Sequence, residues 1–122
     1  MKTILIIEDR KIISDMYKFK LSKEGFEVII AIGVDEAVEL AKNSRPDLVI
    51  LEVFLSKENG VDFLIRVREI EELNSLSVLV VSNFDDEETK IEAFKYGVKD
   101  YLIKSNHEPK EIILKIKELL NQ

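Results

Sequence analysis

Pro46-Asp47-Leu48-Val49-Ile50-Leu51-Glu52-Val53-Phe54 is the stretch on which the fold turns. Four aliphatic residues, Leu48 to Leu51, follow a helix-breaking proline and stop at a carboxylate. An unbroken apolar run bounded in this way predicts a strand buried on both faces that delivers one charged group to a sheet edge. Three other runs behave alike: Ile4-Leu5-Ile6-Ile7 stops at Glu8-Asp9, Val78-Leu79-Val80-Val81 at Ser82, and Tyr101-Leu102-Ile103 at Lys104. If these strands are parallel, three acids, a hydroxyl and an ammonium meet at their carboxyl ends, where open α/β sheets place their ligands.

Helical patterns fill the intervals. Lys11 to Glu24 reads as a helix whose apolar stripe is Ile12, Ile13, Met16, Phe19 and Leu21, ended by Gly25. Glu27 to Ile30 is a strand, and a second helix runs from Val34 or Asp35 to Asn43 with Ala37, Val38, Leu40 and Ala41 inward. Asn59-Gly60 marks a turn before a third helix that buries Val61, Phe63, Leu64, Val67 and Ile70. Asp85-Asp86-Glu87-Glu88 suits the start of a fourth helix carrying Ile91, Ala93 and Phe94, because the helix dipole favours negative charge there. Pro109 opens a fifth helix with Ile112, Ile113, Ile116, Leu119 and Leu120 as its stripe. Strict alternation of strand and helix predicts a parallel sheet covered on both faces and connected by right-handed crossovers.

With 122 residues, 46% hydrophobic and 34% charged, the chain is expected to form a single domain, 1–122, with one effective core and no need of staples. It has no cysteine, which excludes disulfides, thiolate metal sites and thiol catalysis and agrees with a reducing, cytoplasmic setting. Lys2 precedes only four apolar residues before Glu8, too few for a signal peptide or a membrane span. A formal charge of -6 supplies no basic footprint for phosphate backbones, so neither direct nucleic-acid binding nor a membrane partner is expected.

Five short motifs in fixed order carry a family resemblance over essentially the whole chain. Ile6-Ile7-Glu8-Asp9, Asp47-Leu48-Val49-Ile50-Leu51-Glu52, Asn59-Gly60, Val80-Val81-Ser82 and Gly97-Val98-Lys99-Asp100-Tyr101-Leu102-Ile103-Lys104 together resemble the receiver domain of bacterial two-component response regulators. The resemblance implies a flavodoxin-like (βα)5 doubly wound sheet of five parallel strands in the order 2-1-3-4-5, the winding of the chemotaxis receiver. It also implies a phosphorelay role, with a sensor histidine kinase or phosphotransfer protein upstream and an effector protein downstream. Such a module signals by partner binding rather than as an enzyme, here as a stand-alone monomer or weak homodimer. The face formed by helix 4, strand 5 and helix 5, with Lys90, Phe94, Lys95 and Tyr101, is the docking surface it implies.

In that family the phosphoryl group is carried at the position held here by Glu52. A divalent ion, Mg2+ or Mn2+, is implied on Glu8, Asp9, Glu52 and the backbone carbonyl of Phe54, a donor set of hard oxygens suited to such an ion. Lys104 and Ser82 are implied as partners of the phosphoryl oxygens, and Ser82 with Tyr101 as the switch pair. Phe54 and Phe84 stand where family members control water's access to that group, and as partly exposed rings they would also simply close over the acidic pocket. Glu in place of the acceptor Asp is a departure, and three readings stay open: a native phosphorylation-independent receiver, an engineered stand-in for phosphoaspartate, or a poor acceptor. Tyr101 reads equally as a strand aromatic.

A flavodoxin-like enzyme or mononucleotide carrier is the alternative from another class. It would want a Ser/Thr/Gly-rich phosphate loop after the first strand, where this chain has Glu8-Asp9-Arg10-Lys11.

Overall fold

The computed structural model describes residues 1–121. Five strands and five helices alternate along it: β1 Thr3–Ile7, α1 Lys11–Lys23, β2 Glu27–Ala31, α2 Val34–Ser44, β3 Leu48–Leu51, α3 Val61–Arg68, β4 Val78–Ser82, α4 Glu87–Lys95, β5 Asp100–Ile103 and α5 Pro109–Leu119. Short 3-10 turns at Glu71–Leu73 and Lys104–Asn106 complete the order. All strand pairs are parallel, and the sheet order is β2-β1-β3-β4-β5, as expected from the alternation and the resemblance.

Because side chains alternate across a strand, the apolar runs feed two cores at once. Ile4, Ile6, Leu48, Ile50, Leu79 and Val81 pack under α1 and α5 with Tyr17, Leu21, Ile112 and Ile116. Leu5, Ile7, Val49, Leu51, Val78 and Val80 pack under α2, α3 and α4 with Ala37, Val38, Phe63 and Leu64. Each run ends where its first polar residue would otherwise enter one of these cores. Thus β1 stops at Ile7 and β5 at Ile103.

In two helices part of the expected apolar stripe stays in solvent. Ile12 and Phe19 of α1 are 84% and 62% exposed, while Leu21 of the same stripe is buried together with Ser14 and Tyr17, and Ile13 and Met16 pack partly against that core. Periodicity alone does not fix how wide the inward stripe is or where its edges fall. Tertiary contact sets them: Tyr17 and Leu21 join the core with Ile4, Ile6, Phe26 and Val28, and Ser14 donates its hydroxyl to the Lys11 carbonyl. Likewise α4 buries Ala93 alone, leaving Ile91 and Phe94 in solvent. Asp86 opens this helix, its carboxylate capping the Thr89 N–H at 3.0 Å.

Candidate functional site

Strand register brings the acids level before any side chain is considered. Ile7 lies opposite Leu51, so the next residues, Glu8 and Glu52, leave β1 and β3 side by side. Ser82 lies opposite Ile103, so Lys104 follows at the same edge. Gly60 closes the β3–α3 loop against this edge: its N–H donates to the Val53 carbonyl at 2.7 Å, and a Cβ there would meet the Glu52 carbonyl and lie 2.8 Å from Val53 Cα. Only glycine permits that approach.

Glu8 and Glu52 are each 3% exposed, so their charges must be met inside the protein. Lys104 Nζ donates to Glu8 Oε1 at 2.7 Å and to Glu52 Oε1 at 2.9 Å. Arg10 closes the other side, with Nη2 at 3.1 Å from Glu52 Oε1 and 3.5 Å from Glu8 Oε1. Its backbone N–H also reaches Glu8 Oε2 at 3.2 Å. The second oxygen of Glu52 accepts the Ser82 hydroxyl and the Phe54 N–H, the latter at 3.0 Å. Two buried carboxylates, the enclosed Lys104 and the half-exposed Arg10 therefore form a charge-balanced quartet in which each Glu52 oxygen has two partners.

The other candidate residues stand around this quartet. Asp9 lines the same cavity as Arg10 and Glu52, and its Oδ2 accepts the Ser56 N–H at 2.6 Å, tying the β1–α1 loop to the β3–α3 loop. Burial pushes the Asp9 carboxyl up, but the hydrogen bonds from Ser56 prevail and hold its pKa below the usual value. Tyr101 is buried, not on the exposed face expected of it, and its hydroxyl donates to the Phe84 carbonyl at 2.6 Å. Burial, reinforced by the negative charge of Glu52, pushes its phenol up to about 12. Burial and the charge of Glu8 do the same to Tyr17, also to about 12. Phe54 pairs with Asn59 in an isolated antiparallel bridge. The rings of Phe54 and Phe84 stack with centroids 5.0 Å apart and an interplanar angle of 22°. They form one wall of a cavity of about 400 Å³ that also touches Asp9, Arg10, Glu52 and Ser82.

Arg10 is the participant that sequence reasoning passed over. It occupies the N-cap position of α1, where Ser, Asp or Asn normally serves, yet its side chain makes no capping bond. An arginine in a capping place directly after two acids is the signal that was available.

The residues present do not fit the divalent ion implied by the resemblance. Such an ion needs about six oxygen ligands, with carboxylate lone pairs free to turn toward it. Here the carboxylates of Glu8 and Glu52 are engaged by Lys104, Arg10, Ser82 and backbone N–H groups. Among the described residues, no three acidic or histidine side chains are grouped to hold a metal. What the arrangement can do chemically is fix a hydroxyl, an ammonium and a guanidinium around one carboxylate. No helix among the described residues is long and apolar enough to cross a membrane.

Comparison with known proteins agrees with this architecture. The Response regulator receiver domain family matches residues 4–117. The alkaline phosphatase synthesis transcriptional regulatory protein PhoP of Bacillus subtilis is 28% identical over 121 residues, which is 99% of this chain and 49% of that protein. The chain thus spans about half the length of that curated relative. Among solved structures, a candidate response regulator from Chloroflexus aurantiacus is 30% identical with a TM-score of 0.86, covering 99% of this chain and 98% of the other. A CheY-like response regulator receiver domain protein from Methanospirillum hungatei is 26% identical with a TM-score of 0.90, covering 99% of this chain and 94% of the other. These similarities leave the mononucleotide-carrier alternative without support. The chain belongs to the response regulator receiver domain family, the signalling domains of two-component systems.

Proposed function

We propose that this chain is a receiver whose signalling arrangement is set by the Glu52 carboxylate rather than by phosphoryl transfer. The observation that carries the reading is that Glu52 Oε2 accepts the Ser82 hydroxyl while Oε1 accepts Lys104. By family resemblance these two residues would contact the oxygens of a phosphoryl group. The methylene by which Glu exceeds Asp supplies the reach, and Tyr101, the other half of the switch pair, is turned inward onto the Phe84 carbonyl. Glu52 brings one negative charge where a phosphoryl group would bring roughly two, so it imitates reach and not charge. Phosphoryl transfer is steeply sensitive to position, with about a hundredfold lost for a displacement of about 1 Å, which disfavours Glu52 as an acceptor.

In this reading the output is binding of a downstream effector protein, and a histidine kinase or phosphotransfer protein is the upstream partner in its system. The docking face is that of α4, β5 and α5, where Ile91, Phe94 and Leu114 stand exposed. The setting is the cytoplasm, and a net charge of -6 argues against direct contact with nucleic acid. No catalytic turnover is assigned.

The test is exposure to a small-molecule phosphodonor followed by intact-mass measurement, with amide NMR at Ser82 and Tyr101 before and after adding beryllofluoride. The expected result is no mass increase and no movement of those signals. Phosphoryl uptake by the wild-type chain that disappears in Glu52→Ala would refute the proposal.

A further inference from the structure

Receiver domains typically bind Mg2+, and the contacts of Arg10 point to a different source of positive charge in this chain. We propose that the Arg10 guanidinium is the resident cation of the pocket, bridging Glu8 and Glu52 in place of a divalent ion and closing the acidic pair to Mg2+. The inference deepens the reading of Glu52 given above and rests on it.

Three observations carry it. First, the bridge is direct: one guanidinium nitrogen approaches both carboxylates, 3.1 Å from Glu52 Oε1 and 3.5 Å from Glu8 Oε1. Lys104 bridges the same two oxygens, so the charge of both buried acids is already balanced. Second, the positions differ in depth. The Arg10 side chain is 54% exposed where the acids are 3% exposed, which sets it at the mouth of the cavity between solvent and carboxylates. A hydrated dication would have to displace it or sit against it, and in a site of low dielectric like-charge repulsion is strong. Third, the remaining acid of the cavity is itself engaged, since Asp9 Oδ2 accepts the Ser56 N–H. Guanidinium suits the role better than ammonium would, because it is always charged, weakly hydrated and presents several donors in one plane.

Because Arg10 is half in solvent, removing it should open the site without dismantling the core. The experiment is a Mg2+ titration of wild type and Arg10→Ala, followed by the amide NMR signals of Glu8, Asp9 and Phe54 and by the midpoint of thermal unfolding. Wild type is expected to show no saturable shift at millimolar Mg2+. Arg10→Ala should show saturable shifts and a Mg2+-dependent rise in midpoint, with affinity increased at least about tenfold. Arg10→Lys, which keeps the charge, should stay closed or bind more weakly than Arg10→Ala.

Saturable Mg2+ binding by the wild-type chain with an affinity equal to that of Arg10→Ala would overturn the proposal. So would absence of binding in both, since something other than Arg10 would then exclude the ion. If Arg10→Ala does not fold, Arg10→Gln serves in its place, and the wild-type titration alone still decides against the idea when it saturates. None of these results touches the reading of Glu52, which is judged by phosphoryl uptake and its loss in Glu52→Ala.

Discussion

Ser82 donates its hydroxyl proton to Glu52 Oε2, joining the ends of β4 and β3 by a bond between two fully enclosed groups. The same hydroxyl oxygen accepts the Phe84 N–H at 3.0 Å, and the Phe84 carbonyl in turn accepts from Tyr101. One side chain thus links the carboxylate to the aromatic. Ser82→Ala leaves Glu52 Oε2 with the Phe54 N–H alone and deprives the Phe84 N–H of its acceptor. A loss of about 1–3 kcal/mol is expected in urea unfolding, with Ser82→Thr, which keeps the hydroxyl, much closer to wild type.

Lys104 is the only side-chain cation of the quartet that is itself mostly enclosed. Lys104→Met would leave two buried carboxylates facing Arg10 alone, an uncompensated charge expected to cost about 3–5 kcal/mol. Adding Glu8→Gln removes the excess charge, so the double variant should recover part of that loss in the same unfolding experiment. Strict additivity of the two changes would mean that Lys104 and Glu8 are not coupled.

Alkaline stability should report on Tyr101. Its phenol is raised from the ordinary 10.0 to about 12, because burial disfavours the tyrosinate, whose charge would also face Glu52. A group whose pKa is higher in the folded state gives its full stabilisation below the unfolded value and loses it as pH climbs through the folded one. Unfolding free energy should therefore fall between pH 10 and about 12, a window set by the ordinary and raised values. Tyr101→Phe should make that fall shallower, and the part that persists belongs to Tyr17, raised to the same region. Equal slopes for wild type and variant would count against the Tyr101 assignment.

Gly60 tests the backbone around the acid. A Cβ at this position would lie 2.8 Å from Val53 Cα and press on the Glu52 carbonyl, both main-chain atoms with little freedom to yield. Gly60→Ala should destabilise by about 1–3 kcal/mol and shift the amide signals of Glu52 and Val53, whereas a silent substitution would show the β3–α3 loop to be pliable.

The strand runs were legible because a two-faced sheet demands uninterrupted apolar residues, and the first polar residue of each run marks the edge. That is why Glu8, Glu52, Ser82 and Lys104 could be picked out together from Ile7, Leu51, Val81 and Ile103. The helix faces were not legible in α1 and α4. Ile12 and Phe19 share the helical period of Ile13, Met16 and Leu21, and only packing into the core tells the exposed members from the buried ones. Arg10 escaped notice for a related reason: its partners are two residues before it and forty-two residues beyond it.

The amino-acid order by itself determined the alternation of strand and helix, the two-sided burial of the sheet and the identity of the charged groups at its edge, since these follow from local period and from where apolar runs stop. The tertiary structure alone decided which oxygen meets which cation. Register between β1, β3, β4 and β5 sets those distances, and two carboxylates taken out of water accept whatever positive groups the neighbouring strands and the first turn of α1 bring within reach.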